Sequence, residues 1–278
     1  MSDGVENPRS RVLAGVEFIG SRTISLLESV GAAWYLLADA THWTWRGLTQ
    51  RKTRMGKPAI VAQMVRVGVR SIFIVSLVSA CVGFILALQM APPLDDFGSK
   101  DLVANISGVA IIRELGPLIA AIVLTGFAGA AIAAELGTMV VGEEIEALEA
   151  HALNPVRFLV VPRVIAAVIS MTCLAIMANF VAVTAGWVVG VTFLGIPSER
   201  YVQNLLDQVQ LVDFLTGIGK STVFGLLIGL IACNNGLRVT GGAAGVGAAT
   251  TNTVVQSIVA IVIADLIFTG IFFALGWV

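Results

Sequence analysis

Long apolar stretches dominate this chain. Stretches without any Asp, Glu, Lys or Arg run over residues 71–94, 115–134, 164–198 and 239–264. Because a transmembrane helix needs about 20 apolar residues, this pattern predicts an all-α membrane protein that crosses the bilayer several times. We place the five predicted spans at residues 71–92, 104–128, 164–188, 212–235 and 254–276, each with an uncertainty of several residues at both ends. The run over 164–198 is interpreted as one tilted span followed by an outer loop.

The segment before the first span has a different pattern. In residues 13–37, apolar residues recur with the period of an α-helix. Apolar side chains therefore share one face, and Glu17, Ser21 and Glu28 share the opposite face. This pattern predicts an amphipathic helix in the membrane interface, or alternatively a core helix of a small soluble domain. A linker with interfacial Trp and basic residues follows. We therefore divide the chain into residues 1–58, cytoplasmic and interfacial, and residues 59–278, the membrane domain.

Composition supports the membrane assignment. Of the 278 residues, 57% are hydrophobic and 13% are charged, whereas ordinary soluble domains carry about 25% charged residues. The net charge of −1 gives no overall attraction to nucleic acid. Ten Lys and Arg precede the first span, and Arg157, Arg163 and Arg238 fall in the loops on the same side. The positive-inside rule then predicts a cytoplasmic N-terminus and a periplasmic C-terminus.

Four ionisable residues fall inside predicted spans: Arg113, Glu114, Lys220 and Asp265. They lie about eight to eleven residues from the outer ends of their spans, so their depths agree within a few ångströms at about 1.5 Å per residue. Charges at this depth are costly unless they are paired. We predict a buried network of Glu114, Lys220 and Asp265, with Arg113 either joining it or facing a polar cavity. The network could act in transport, or it could only fix the register of the helices. The adjoining Gly116-Pro117 predicts a bend in span two.

Motifs for catalysis are missing. The segment before Lys220 resembles a phosphate-binding loop, but it lacks the first glycine and lies in a span, and the Gly-rich residues 241–249 lack the strand–helix setting that binds dinucleotides. His42 and His151 are isolated, and the three Cys lie far apart, which favours neither a metal site nor disulfides. We predict no metal and no catalytic residue, and the first residues show no signal-peptide pattern.

The inner loop between spans two and three is acidic, and it carries sequence motifs that resemble a known family. These motifs are Arg113-Glu-Leu-Gly-Pro117, Ala134-Glu-Leu-Gly-Thr-Met139, Glu146-Ala-Leu, Asn154-Pro-Val-Arg157, Val161-Pro-Arg163 and Gly245-Val-Gly-Ala-Ala-Thr-Thr251. In this order they resemble the MlaE (YrbE) family, the permease subunits of Mla/Mce-type ABC systems that move phospholipids between bacterial membranes.

The resemblance implies an MlaE-like permease fold, with an interfacial N-terminal helix and five transmembrane helices, in the bacterial inner membrane. It also implies a homodimer, a separate ABC ATPase that binds ATP and Mg²⁺, and an outer ring of MCE-domain subunits. The loop at about residues 136–156 would be the coupling helix. The residues implied in coupling to the ATPase are Glu135, Glu143, Glu144, Glu146, Glu149, Asn154, Pro155 and Arg157. From the pattern alone, an ordinary solvated acidic face is an equal alternative.

The resemblance further implies a lipid cavity between two subunits, lined by the end of span one and the residues after it. The matching positions are Leu86, Pro93, Leu94 and Phe97, whose apolar character suits acyl chains, while Pro92-Pro93 and Asp95-Asp96 depart from the family pattern. The leading hypothesis is a non-catalytic permease subunit of an ATP-driven phospholipid transporter that maintains outer-membrane lipid asymmetry. The alternatives are an ion-coupled secondary transporter that uses the intramembrane charges and a non-transporting scaffold for the MCE ring.

Overall fold

The computed structural model describes residues 20, 24, 28, 31–46 and 57–277 of the chain. Within these residues every regular element is helical, which confirms the predicted all-α class. Most of the predicted amphipathic segment over residues 13–37 lies outside the described residues. The helices are α1 (residues 31–46), α2 (Lys57–Val67), α3 (Ile72–Asp96), α4 (Val103–Ala110), α5 (Gly116–Leu124), α6 (Ala130–Val141), α7 (Glu144–Ala150), α8 (Val161–Thr192), α9 (Ser198–Gln208), α10 (Leu211–Leu237) and α11 (Gly242–Ala274).

Five helical segments in the described part of the chain are long and apolar enough to cross a membrane, as predicted. They are Lys57–Asp96, Lys100–Val141, Val156–Thr192, Leu211–Leu237 and Gly242–Ala274. Each contains the corresponding predicted span except for a few C-terminal residues of the fifth, and most are longer. Successive spans run in opposite directions, so α7 and its flanking loops lie at one end of the bundle, called the α7 end, and α9 lies at the other, called the α9 end.

Helix α8 is the centre of the bundle and packs against α2, α3, α5 and α10. Small residues allow these helices to approach closely, which is how membrane helices gain packing contacts in the absence of a hydrophobic driving force. At Gly83 of α3 an added Cβ atom would lie 2.0 Å from the carbonyl oxygen of Ala182 on α8. The close approach of α3 and α8 therefore requires a glycine, which has no side chain, at position 83.

The outer loop predicted after span three contains a short helix, α9. It packs its Tyr201 side chain, which is 1% exposed, against Ala87, Val103 and Val189. Burial raises the pKa of Tyr201 above its usual value of 10.0, because the phenolate would lose its hydration. Tyr201 thus holds α9 against a small apolar cluster that is separate from the main core.

In the described part of the chain, π-helical turns interrupt span two at Ile111–Leu115 and Thr125–Gly129, and another begins span three at Val156–Val160. The first directly precedes Gly116-Pro117, where the sequence predicts a bend. Proline has no N–H to donate, so a carbonyl of the preceding turn loses its partner. The side-chain amide of Asn179 donates to the carbonyl oxygen of Ile112 at 3.3 Å, which satisfies one such group from the neighbouring helix α8.

Candidate functional site: membrane ion pairs and the α7 loop

Lys220 is the centre of an ion cluster inside the bundle. Its side chain is completely buried, and its Nζ atom lies 2.5 Å from Glu114 Oε2 and 3.0 Å from Asp265 Oδ1. The three residues predicted to form a network therefore meet, although they come from span two, α10 and α11. The Nζ–Oδ1 contact with Asp265 has the distance of an ion pair without hydrogen-bond geometry, since this buried oxygen has no hydrogen-bond partner.

Thr269 of α11 completes the cluster. Lys220 Nζ donates to the Thr269 hydroxyl at 2.8 Å, and this hydroxyl lies 3.1 Å from Glu114 Oε1. The ammonium also lies 5.9 Å from the centre of the Phe272 ring, within the range of a cation–π contact. A buried cation is thus surrounded by two carboxylates, one hydroxyl and one aromatic face. Sequence reasoning did not identify Thr269 or Phe272.

Local backbone structure brings these side chains to one level. Arg113 and Glu114 lie in the first π-helical turn, where the wider turn changes the direction of side chains relative to a regular helix. Helix α10 approaches this turn closely at Gly217, where an added Cβ atom would lie 2.5 Å from the carbonyl oxygen of Ile112. Lys220 follows three residues later on the same face of α10.

Arg113 does not join the Lys220 cluster but forms its own ion pair. Its Nη2 atom lies 2.5 Å from Asp213 Oδ1 and its Nε donates to the same oxygen at 3.0 Å. The other carboxylate oxygen of Asp213 accepts from the backbone N–H of Gln210 and so caps α10. Asp213 is a functional candidate that sequence reasoning missed. Its position at the outer end of predicted span four, seven residues before Lys220, places it outside the layer of charges that depth predicts.

An open cavity of about 580 Å³ lies beside both ion pairs. Arg113, Glu114, Asn105, Gln208 and Thr269 provide its polar lining. Its apolar lining comes from Leu102, Ile106, Val109 and Ala110. The cavity therefore has the mixed character that an amphiphile or a polar solute in the membrane requires.

The four residues predicted to line a lipid cavity lie along the second half of α3 and just after it. Leu86 and Leu94 are half-buried, whereas Pro93 is exposed. Phe97 is 82% exposed at the α9 end. Pro92 and Pro93 lie inside helix α3. These side chains thus form an apolar surface at the α9 end that is open in a single chain.

At the α7 end, the predicted coupling segment folds as a short helix between two bends. Its regular part, α7, is shorter than the predicted range of about 136–156, because residues up to Val141 continue span two. Glu143 and Ala152 flank α7 with φ angles of +55° and +58°, a left-handed conformation that is uncommon outside glycine. Glu143, Glu144, Glu146 and Glu149 are all exposed, and none forms an ion pair with another described residue.

The Asn154-Pro-Val-Arg157 motif starts the helix that leads into α8. The side-chain oxygen of Asn154 accepts from the backbone N–H of Arg157 at 3.1 Å, and Pro155 precedes the first turn, as is common at helix starts. The Arg157 guanidinium lies 5.5 Å from the ring centre of Trp43 and 5.3 Å from that of Phe158. Arg157 therefore connects the loop to α1.

We expect Trp43→Ala to loosen the loop that follows α7. The substitution removes the aromatic surface under Arg157, and cation–π contacts of this kind contribute about 0.5–2 kcal/mol. Hydrogen exchange of the purified protein should become faster in residues 151–158. Arg157→Gln should give the same local change, whereas Trp34→Ala, which changes a 67% exposed side chain of the same helix, should not. Equal hydrogen-exchange protection of residues 151–158 in the wild type and in all three variants would contradict the contact between Arg157 and Trp43.

Glu135 lies apart from the exposed acidic residues with which it was grouped. Its Oε1 atom contacts Arg66 of α2 at 2.6 Å and Arg163 of α8 at 3.1 Å. Arg163 is almost completely buried and also donates to the carbonyl oxygen of Leu159. Arg163 was assigned to a loop from the sequence, and the structure instead gives it an internal ion pair.

The described residues contain no group of three or more His, Cys, Asp or Glu side chains that could hold a metal ion. Cys81 and Cys173 are exposed, Cys233 is buried, and all three are free thiols. The arrangement as a whole combines paired charges inside a membrane bundle with an exposed acidic helix at one end. Ionisable residues inside a membrane bundle are candidate functional residues.

Comparison with known proteins gives a consistent family assignment. The profile of the family described as Permease MlaE matches residues 60–271. A probable ABC transporter permease protein of Rickettsia typhi is 36% identical over 214 residues, covering 77% of this chain and 83% of the relative. The intermembrane phospholipid transport system permease protein MlaE of Haemophilus influenzae is 31% identical over 262 residues, covering 94% of this chain and 98% of the relative.

A further relative is the chloroplastic protein TRIGALACTOSYLDIACYLGLYCEROL 1 of Arabidopsis thaliana, which is 33% identical over 242 residues, covering 83% of this chain and 69% of the relative. The family resemblance predicted from the motifs is thus confirmed by independent comparisons over most of the chain. The five apolar helices agree with this assignment. The chain is a multi-pass membrane protein that belongs to the MlaE permease family and forms a non-catalytic permease component of an ABC transporter.

Proposed function

We propose that this chain is the membrane-spanning subunit of an ATP-driven transporter that moves phospholipids between the inner and outer membranes of a bacterium and so maintains outer-membrane lipid asymmetry. The observation that carries the proposal is the nearly full-length similarity to a phospholipid transport permease. The exposed acidic helix α7 supports it, because a permease without its own nucleotide-binding motif needs a surface on which an ATPase can act.

The proposed orientation places the α7 end in the cytoplasm and the α9 end in the periplasm of the inner membrane. The distribution of Lys and Arg supports this orientation. An ABC ATPase, which would bind ATP and Mg²⁺, would contact α7 and its flanking loops. An MCE-domain ring would receive lipid at the α9 end. The proposed complex contains two copies of the chain, which together would close the open apolar surface formed by Leu86, Pro93, Leu94 and Phe97.

The proposed mechanism follows from these positions. When the ATPase subunits close on ATP, they push on α7, and the bends at Glu143 and Ala152 transfer this movement to α6 and α8. The movement narrows the lipid cavity between the two copies. Acyl chains contribute about 0.8 kcal/mol per buried CH₂ group, so lipid binding would depend mainly on the tails. We therefore expect low selectivity for the headgroup.

Within the proposed transport function, the buried Lys220 cluster would stabilise one conformation of the bundle. Its charges would stabilise one packing of span two, α10 and α11 and would be rearranged when these helices move. The same cluster is the observation that favours ion-coupled secondary transport as an alternative function. The two functions differ in their energy source, because ion-coupled transport needs a proton or cation gradient and no ATPase.

The test is transport by the purified complex in proteoliposomes. The complex is isolated with its native partners, its subunits and bound lipids are identified by mass spectrometry, and transfer of fluorescent phospholipid is followed. We expect co-purification of an ATPase and transfer that requires ATP and Mg²⁺. Transfer that follows an imposed proton gradient without ATP would support the alternative and contradict the proposal. Absence of bound phospholipid and of any transfer would contradict both.

A further inference from the structure

Glu135 connects three helices at the α7 end of the bundle. It belongs to α6, and its Oε1 atom contacts both Arg66 of α2 and Arg163 of α8, at 2.6 Å and 3.1 Å. Among the described residues, the Arg66 contact is the only ion pair that joins α2 to α6. One carboxylate oxygen therefore contacts two guanidinium groups, one from α2 and one from α8.

The two arginines differ in how firmly they are held. The Arg163 side chain is 5% exposed and has a second partner in the carbonyl oxygen of Leu159. The Arg66 side chain is 46% exposed and has no other described partner. If Arg66 moves away, Glu135 stays neutralised by Arg163, and Arg66 gains water or lipid headgroups. Breaking the Arg66 contact therefore leaves no buried charge without a partner, and exposed ion pairs of this kind contribute only about 1 kcal/mol or less.

The contact joins two segments with separate tasks in the proposed mechanism. Helix α6 continues within three residues into α7, the proposed docking surface for the ATPase. Helix α2 continues through one short turn into α3, which carries Leu86 and Leu94. A displacement of α7 would thus be transmitted to the proposed lipid cavity along a continuous path. The path runs along α6, across the Glu135–Arg66 contact and along α2 and α3.

From this geometry we infer that Arg66 and Glu135 form a reversible coupling contact that passes movement of the α6–α7 segment to the cavity-lining span and that opens and closes during transport. The inference rests on the proposed ATP-driven function. Arg66 acts through Glu135 and needs no contact with lipid, so it is a positioning residue. Arg163 is the fixed partner that keeps Glu135 paired while Arg66 is released.

Lipid transfer and ATP hydrolysis, measured together on the reconstituted complex, test the inference. In Arg66→Met we expect the amount of phospholipid transferred per ATP hydrolysed to fall about tenfold, a usual size for coupling between sites, with normal assembly and normal basal ATP hydrolysis. Arg66→Lys should restore most of the transfer. Arg70→Met is the matched control, because it removes an exposed arginine four residues later that forms no ion pair with another described residue, and it should behave as wild type.

A distance measurement separates coupling from a purely structural role. Spin labels at Val65→Cys and Thr138→Cys, both exposed positions, report the separation of α2 and α6 after the three native cysteines are replaced by alanine. In the wild-type background ATP should change this separation, and in Arg66→Met the ATP-dependent change should be lost while the resting distance stays similar.

The outcomes distinguish the inference from the function on which it rests. If the wild-type complex transfers no phospholipid with ATP, the proposed function is wrong and the inference fails with it. If the wild type transfers lipid and Arg66→Met does so equally well per ATP, the inference alone is wrong. It is also wrong if Arg66→Met lowers assembly, ATP hydrolysis and transfer in parallel, because that result indicates a structural role.

Discussion

Replacing Lys220 by methionine should abolish phospholipid transfer and strongly destabilise the protein. The substitution removes a fully buried cation and leaves the Glu114 and Asp265 carboxylates facing each other without a counter-charge. Removing one partner of a buried ion pair costs about 3–5 kcal/mol. We expect a clearly lower unfolding temperature of the purified protein in detergent, together with loss of transfer in any fraction that still assembles.

A neutral version of the whole cluster separates stability from function. The triple variant Glu114→Gln, Lys220→Met, Asp265→Asn carries no charge in the Lys220 cluster, so most of the lost unfolding temperature should return. If the cluster acts in transport, this stable variant should still transfer little lipid. Transfer at the wild-type rate would show that the charges only fix the register of the helices. Lys100→Met, which disrupts a half-exposed pair with Asp95, is the matched control for stability and should leave the unfolding temperature unchanged.

Replacing Gly83 by alanine should be the most damaging single-methyl addition to the spans α3 and α8. The new Cβ atom would lie 2.0 Å from a backbone oxygen of Ala182, so one of the two helices must move. Overpacking of this kind costs about 3 kcal/mol. We expect reduced unfolding temperature of the purified permease and a lower yield of folded protein in the membrane.

The control for Gly83→Ala is the same change at Gly219 of α10, where no atom lies within 4 Å of the added Cβ. Alanine is a better helix former than glycine by about 0.5–1 kcal/mol, so Gly219→Ala should leave the unfolding temperature unchanged or raise it slightly. Equal unfolding temperatures for the two variants would mean that α3 and α8 are not packed as closely as the structure describes.

The sequence predicts the five long apolar helices but not how far each helix extends beyond its apolar run, and the reason is physical. The predicted spans exclude Arg66, Glu135 and Arg163, because an isolated charge is costly inside a bilayer. In the structure Glu135 pairs with both arginines, so none of the three charges is isolated. The helices can therefore continue past them, to Lys57 in the first span and to Val141 in the second.

The sequence predicts the ion cluster only in part. Depth along the helices was enough to bring Glu114, Lys220 and Asp265 together, because each helix has a fixed rise per residue. Depth could not assign Arg113 to Asp213, since this depends on which way the π-helical turn directs each of two adjacent side chains. It also could not select Thr269, because a single hydroxyl in an apolar helix has no distinguishing pattern before its neighbours are known.

The uneven burial of the spans has a consequence for biosynthesis. Helix α11 leaves much of its apolar surface exposed, and polar contacts fix it at two levels, through Asp265 and Thr269 beside Lys220 and through Thr253 and Gln256 beside Asn235. During synthesis α11 emerges after α10, when Glu114 and Lys220 are already in the membrane and can pair. A nascent chain that ends before α11 would thus insert with the neutral pair of Glu114 and Lys220. Insertion of α11 would then add the Asp265 carboxylate and complete the cluster, so the finished bundle would differ from its precursor in the charge beside Lys220.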